Sequence, residues 1–301
     1  MIAPAWFKSL SLRTLVVSLA YASYGMLLAS PPLAAAEPRS LQVGVQLNVR
    51  VLLQGAYDPA LKLMRDDLRA TLLPTNQPYQ TAPFDYAGTE TLNKALAPIA
   101  VGGDADAVVD WVLLELRSAA DAKLTVARRA VGVQRDGDLM DMQTGETTQI
   151  FLDVEPGSYH VAVRHRNHLG VLTGEAQTLA FIPITLDFSL PTTPVTGQNA
   201  RYLSGNVALM WGGDANQDGR VVASGGGNDT NAILSPILLA TGNTGFNASY
   251  RLLGYHPADL DMDGEVIYAG PGNDTNIMTS NILLHPANST FAYNYIVNGG
   301  L

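Results

Sequence analysis

Asp214, Asn216 and Asp218 stand at alternate positions and are followed by Gly219. Asp259, Asp261 and Asp263 repeat the spacing before Gly264, at an offset of 45 residues. Oxygen side chains at positions 1, 3 and 5 can curl around one hard cation, and glycine at position 6 permits the sharp turn. Calcium fits such a set, since it takes six to eight oxygens at about 2.3–2.6 Å. Position 7 offers a backbone carbonyl, here that of Arg220 or Glu265. The usual loop closes with an acid at position 12. That position holds Gly225 or Gly270, and the next acids, Asp229 and Asp274, come four residues late. Gly225-Gly226-Gly227 and Gly270-Pro271-Gly272 supply turns that could bring them back. The expected ligands of two calcium ions are therefore Asp214, Asn216, Asp218, Arg220 and Asp229, and Asp259, Asp261, Asp263, Glu265 and Asp274.

These residues sit in an internal repeat. Residues 214–239 align without a gap to 259–284, and Asn228-Asp229-Thr230-Asn231 matches Asn273-Asp274-Thr275-Asn276. Asp-Gly turns are common on protein surfaces, but a turn needs no acids at alternate positions, and a decayed loop would not carry the same insertion twice. Asn228 and Asn273 are placed to cap a following helix. In the first copy Ile233 and Ile237, and Leu234 and Leu238, have i,i+4 spacing. Pro236 is awkward within one helix and fits better if Ser235 caps a helix starting there.

The doubled D-x-[ND]-x-D-G core, each copy followed by a helix-like apolar stretch, resembles the dockerin module over about residues 205–301. The resemblance implies an EF-hand-related pair of calcium loop–helix units, found in secreted bacterial proteins and often docked to cohesin domains. The chain departs from that family in its displaced closing acids and in the wider separation of its copies. It carries over a cohesin-like or other surface protein as partner.

Upstream, residues 41–190 alternate like strands. Val45, Leu47, Val49 and Val51 share one face, and Val109, Trp111 and Leu113 another. Arg135-Asp136-Gly137-Asp138 reads as a hairpin turn, and Pro156-Gly157 as a turn between two strands. Residues 58–74 read as a short helix or an irregular excursion. The expected fold is mainly β: an antiparallel, immunoglobulin-like β-sandwich at 37–190, a Pro/Thr/Gly linker at 191–204, and a small α dockerin-like module at 205–301.

The first 36 residues read as a secretory signal, with Lys8 and Arg13 ahead of an apolar run and Ala34 and Ala36 before Glu37. Cleavage leaves 16 basic and 27 acidic residues, a net charge of −11, and no membrane insertion. The absence of any basic run argues against nucleic acid as a partner. There is no cysteine, so disulfides, zinc–thiolate sites and a cysteine nucleophile are excluded, and bound metal is a candidate staple for loop-rich parts. The expected location is secreted, periplasmic or on a bacterial cell surface.

Other constellations carry less. A strand through His165 and His168 sets them on opposite faces, which makes them poor joint ligands. Asp110 reads as part of a solvated strand edge with Asp104 and Asp106. Trp111 reads as core. Tyr57, Tyr79, Phe84 and Tyr86 lie in loop-like sequence and could form a sugar-stacking platform. The leading expectation is a non-catalytic, calcium-binding attachment or docking protein. The alternative is a polysaccharide-binding or glycosidase-associated protein with a calcium-stabilised appendage.

Overall fold

The computed structural model describes residues 44–69, 71–93 and 104–301. The expected signal segment lies outside the described residues. The described chain is mainly β, with strands in several sheets and two helices.

Two sheets share the larger core. Strand β1 (Val45–Arg50) is followed by a small hairpin of β2 (Tyr57–Asp58) and β3 (Leu63–Met64), then by β4 (Val108–Ser118), β5 (Thr125–Gln134), β6 (Leu139–Met140), β7 (Thr148–Phe151), β8 (Gly157–Arg164), β9 (Val171–Leu172), β10 (Gln177–Leu179) and β11 (Ile184–Asp187). One sheet has the order β11-β1-β7, and the other the order β10-β8-β4-β5-β6 with β9 also on β8. Pairing is antiparallel except between β1 and β11. Strand β1 alternates buried and half-buried residues, and Val45, Leu47 and Val49 face Val112, Leu114 and Leu116 of β4 in one cluster. The period of two places every second side chain on the same face. The Gly137 turn (φ +98°) joins β5 to β6 as expected. The Pro156-Gly157 turn instead carries the chain between sheets, since β7 pairs with β1 and β8 with β4.

Strand β4 is buried on both faces. Trp111 and Leu113 turn away from the inter-sheet core and pack with Tyr79, Phe84 and Leu92. The stretch 71–93 therefore acts as a cover over the second face of the sheet. Tyr79 donates its hydroxyl to the Trp111 carbonyl at 2.6 Å, and Trp111 Nε1 donates to the Pro74 carbonyl at 2.9 Å. Trp111 is core, as its pattern indicated. Tyr79 and Phe84 are not available to an exposed aromatic platform, at 0% and 5% exposure, because covering β4 requires apolar bulk, whereas Tyr57 and Tyr86 are half-buried.

The segment 191–204 folds against its neighbours. Arg201 donates to the carbonyls of Phe188, Leu190 and Thr193 at 2.6, 2.9 and 2.7 Å. Then β12 (Tyr202–Ser204) and β13 (Val207–Leu209) form a hairpin, and Leu209 and Met210 enter the inter-sheet core. The described residues fall in one compact unit.

The repeat region contains β14 (Arg220–Val221), α1 (Asp229–Leu239), β15 (Leu252–Leu253), β16 (Glu265–Val266), α2 (Thr275–Leu283) and β17 (Val297–Asn298). The helix-forming stretches behave alike. Ile233 and Ile237 of α1 and Met278 and Ile282 of α2 are equivalent by the 45-residue offset, and all four are buried in one cluster with Val221, Val266, Leu260 and Trp211. Helix α1 runs unbroken through Pro236, contrary to a fresh start at that residue. Proline removes one N–H bond and crowds the turn before it, and the anchorage of Ile233 and Ile237 on either side outweighs that cost.

The strands of the repeat are exchanged. Strand β14 pairs with β17 through Arg220–Asn298 and Val221–Val297, and β15 pairs with β16 through Leu253–Glu265 and Leu252–Val266. Each pairing becomes the other when both numbers move by 45. Each loop strand is thus held by the closing strand of the other copy.

Candidate metal centre

Both loops adopt one conformation. Gln217 and Met262 at position 4 are left-handed (φ +66° and +60°), as are Gly219 and Gly264 at position 6 (+82° and +91°). In the insertion, Gly225 and Gly227 (+100° and +67°) match Gly270 and Gly272 (+115° and +70°). The middle residue has no positive φ, which is why Pro271 can replace Gly226 there while the flanking glycines are required.

This insertion returns the late acid to its loop. Asp229 Oδ1 accepts from the Asn216 amide at 3.1 Å and Oδ2 from the Val222 amide at 2.8 Å. Asp274 Oδ1 accepts from the Leu260 amide at 2.6 Å and Oδ2 from the Ile267 amide at 2.7 Å. The amides of Asp229 and Asp274 in turn donate to the carbonyls of Val222 and Ile267 at 2.8 and 3.0 Å. Thr230 and Thr275 fasten the same corner through Ala223 and Tyr268 at 2.7 and 2.8 Å. Asn228 and Asn273 cap the helices by accepting from Asn231 and Asn276 at 2.8 and 2.9 Å.

The first acids act alike too. Asp214 Oδ1 and Oδ2 accept from the amides of Asp218 and Gly219 at 2.9 and 3.0 Å. Asp259 accepts from Asp263 and Gly264 at 3.1 and 3.2 Å. Carboxylate oxygens of Asp259, Asp261 and Asp263 lie within 4.8 Å of one another. The seventh residues differ in their side chains. Arg220 pairs with Asp218 at 3.1 Å, whereas Glu265 pairs with Arg251 at 2.8 Å.

Asp214, Asp229, Asp259 and Asp274 are all buried, at 4, 0, 0 and 0% exposure. Burial, reinforced by the charges of Asp229 and Asp218, pushes Asp214 up to about 8. Burial raises Asp229 to about 7, with Asp218 adding to it. Burial raises Asp259 to about 8, opposed by Arg166 and reinforced by Asp274 and Asp261. Burial likewise lifts Asp261 to about 6 and Asp274 to about 7. Buried carboxyls facing one another resist ionisation unless a cation joins them. The donor set is oxygen only, and it matches a hard divalent cation better than a soft one.

A second cluster stands behind the second loop. Asp110 is fully buried at 0% exposure, not at a solvated edge. A register shift between Val108 and Asp110 redirects the strand there. Asp110 Oδ2 meets Arg166 Nε at 3.0 Å and His165 Nε2 at 3.1 Å, and Oδ1 accepts from the Tyr255 hydroxyl at 2.7 Å. Burial works against the Asp110 charge, but Arg166 and His165 outweigh it and hold its carboxyl down at about 2. Arg166 Nη2 reaches towards Asp259 Oδ2 at 3.8 Å, and Asn167 Nδ2 donates to the Asp259 carbonyl at 2.6 Å.

The two histidines do meet. Strand β8 ends at Arg164, so strand alternation no longer separates them, and their Nδ1 atoms lie 3.0 Å apart. The Gly55 amide donates to His168 Nε2 at 3.0 Å, which places the His168 proton on Nδ1, 2.7 Å from Asn167 Oδ1. His165 then donates from Nε2 to Asp110 and accepts at Nδ1. Burial lowers both imidazoles, His168 most strongly, and keeps them neutral. No motif spacing announces this cluster. The only sequence signal is the density of polar residues in His165-Arg166-Asn167-His168 at the end of an apolar strand.

Both copies touch the β-sheet region, the first through the amides of Gly213 and Asp214 on the Asn167 carbonyl at 3.1 and 3.2 Å, the second at more widely spread points. Met262 is buried in the inter-sheet core. Arg65 Nη2 donates to the Asp261 carbonyl at 2.5 Å, and Asn281 of α2 exchanges hydrogen bonds with Gln54 at 2.8 and 2.7 Å. The first loop leaves Asp218 exposed and Asn216 and Gln217 half-buried.

Set beside known proteins, the chain matches no protein-family model, no curated protein and no solved structure.

Proposed function

We propose that the chain is a secreted, calcium-binding protein whose C-terminal repeat is a dockerin-like attachment or docking element. One observation carries this reading. In both copies the displaced acid folds back onto its loop through backbone amides, close enough to the buried first acid to act on its charge, and in the second copy carboxylate oxygens of Asp259, Asp261 and Asp263 come within 4.8 Å of one another. Asp214, Asn216, Asp218 and Asp229 would hold one ion, and Asp259, Asp261, Asp263 and Asp274 the other, with Arg220 and Glu265 offering carbonyls. Binding energy would then order the loops and the helices that leave them.

The docking part of the reading rests on the resemblance and on the apolar residues that the repeat leaves in solvent. Leu239 and Phe246 of the first copy are 76 and 71% exposed, and their equivalents Leu284 and Phe291 are 68 and 65% exposed. Phe246 and Phe291 are both left-handed, at φ +50° and +54°. A cohesin-like or other surface protein is the proposed partner. Secretion rests on the sequence pattern of residues 1–36. Among the described residues, no helix is long and apolar enough to cross a membrane.

The test is a calorimetric calcium titration of the chelator-stripped chain, with circular dichroism on each state. Two sites and a gain of ordered structure support the reading. No heat and an unchanged spectrum would overturn it.

A further inference from the structure

Beside the first loop lies a pocket of about 300 Å³. Its lining includes Phe84, Arg117 and Arg164 of the β-sheet region together with Asp214, Gln217 and Asp218 of the loop. The buried His165 and His168 contribute to its lining as well. That volume is at the small end for ligand pockets, enough for a molecule of about one sugar ring.

The arginine side is overcharged. Glu115, with its side chain 2% exposed, receives Arg117 Nε and Nη2 at 2.9 and 2.6 Å, and Arg117 Nη1 is taken by the Ala122 carbonyl at 3.1 Å. Both bonds from Arg117 to Glu115 use Oε2. Arg164 shares the same carboxylate more loosely, with Nη1 3.7 Å from Glu115 Oε1, so two guanidinium charges face one carboxylate. The Arg164 side chain is 22% exposed, and its flat face is held 4.5 Å from the Phe84 ring centre. A guanidinium fixed in place by stacking, with surplus charge on a pocket wall, is arranged for a planar oxyanion.

When the loop is bare, its lining residues offer a carboxylate no positive charge, because Asp214 is held protonated by burial and Asp218 is paired with Arg220. A divalent cation there supplies that charge. Calcium keeps open coordination positions for oxygens from outside the protein. We propose that this pocket binds a small carboxylate-bearing ligand in a calcium-dependent way, with the carboxylate between the first loop's cation and Arg164. The inference rests on the calcium reading and adds a ligand to it. The second loop has no such neighbour, since its position 4 residue, Met262, is buried in the inter-sheet core.

The experiment titrates the full chain with galacturonate in calcium, with galactose as the uncharged control and a protein-free blank. Galacturonate should bind saturably and galactose should not. Excess chelator should abolish binding. Arg164→Leu should weaken it by about tenfold or more, the scale of one charge-assisted pair, with the calcium titration unchanged. Gln217→Glu, at the half-buried edge of the pocket, should also weaken it and guards against misfolding of the first variant. Normal calcium uptake without galacturonate binding overturns this inference and leaves the calcium reading standing. Equal galacturonate binding in chelator, or in a folded Arg164→Leu chain, overturns it as well. Absence of calcium uptake removes both.

Discussion

At the scale of single residues, Asp229 and Asp274 decide whether the loops work. Each accepts two amides from across its loop, so each both shapes the backbone and contributes charge. Asp229→Asn keeps the shape and part of the hydrogen bonding while removing the charge. Calcium affinity follows ligand charge count, so this change should weaken one of the two sites by about 100-fold and spare the other, as a titration resolving both sites will measure. Arg166 has a different task. It stands buried between Asp110 and Asp259, and its loss leaves the buried Asp110 carboxylate without a countercharge. Arg166→Leu should therefore cost about 3–5 kcal/mol, the scale for breaking a buried charge pair, measured as a lowered urea midpoint in the calcium-loaded protein.

At the scale of elements, the exchanged strands tie the two copies together. Strand β17 closes the chain's second copy yet pairs with β14 of the first loop. Strand β15 does the same for β16. Neither loop is therefore an independent unit, and filling one should help to order the other. Val297→Pro tests this. Proline removes a ladder donor, and the ladder it breaks is that of the first loop. In an Asp274→Ala background, which leaves only the first site, Val297→Pro should weaken calcium binding by about tenfold although residue 297 lies far along the chain from Asp214. Unchanged affinity would show that the loops act separately.

At the scale of the whole molecule, the loops set how stability depends on pH. In the chelated protein Asp214 and Asp259 titrate near 8 and Asp229 and Asp274 near 7, all pushed up chiefly by burial. The same groups in an unfolded chain titrate at about 3.9. Between those values the folded state holds more protons than the unfolded one, so stability falls as pH rises. Asp110 has the opposite sign: burial raises it, but Arg166 and His165 bring it down to about 2, so its contribution is present above about pH 4 and is lost as the pH falls through 2. Below about pH 6.5 the buried neutral His165 and His168 oppose this fall, so the chelated protein should show a melting temperature that declines between about pH 6.5 and 8. Calcium should remove that decline and release protons as it binds near pH 6. Scanning calorimetry across pH, with and without calcium, measures both. Because the second loop is pinned to the sheets through Met262, Arg65 and Asn167, chelation should also lower hydrogen-exchange protection at residues 162–172.

Whatever depends on local geometry was legible in the residues themselves. Alternation marked the strands, from Val45, Leu47 and Val49 to Trp111, because side-chain direction in a strand is set by parity. Acids at alternate positions and a glycine marked the loops, and matched asparagines marked the caps, because caps and turns close over a few residues. Repetition of the insertion before Asp229 and Asp274 signalled that the late acids belong to the loops. What meets across long separations emerged only in the folded chain. Asp110 looked like an edge acid until His165, Arg166 and Tyr255 were brought around it from 55, 56 and 145 residues away. His165 and His168 looked separated until the strand ended one residue before the first of them. The exchange of β15 and β17 and the surplus charge on Arg164 have no local signature, since two-residue strands lack a period and a surplus exists only relative to spatial neighbours. Local rules act through the backbone of adjacent residues, whereas the pocket, the buried ion pairs and the docking of the second loop arise from packing that the whole chain sets.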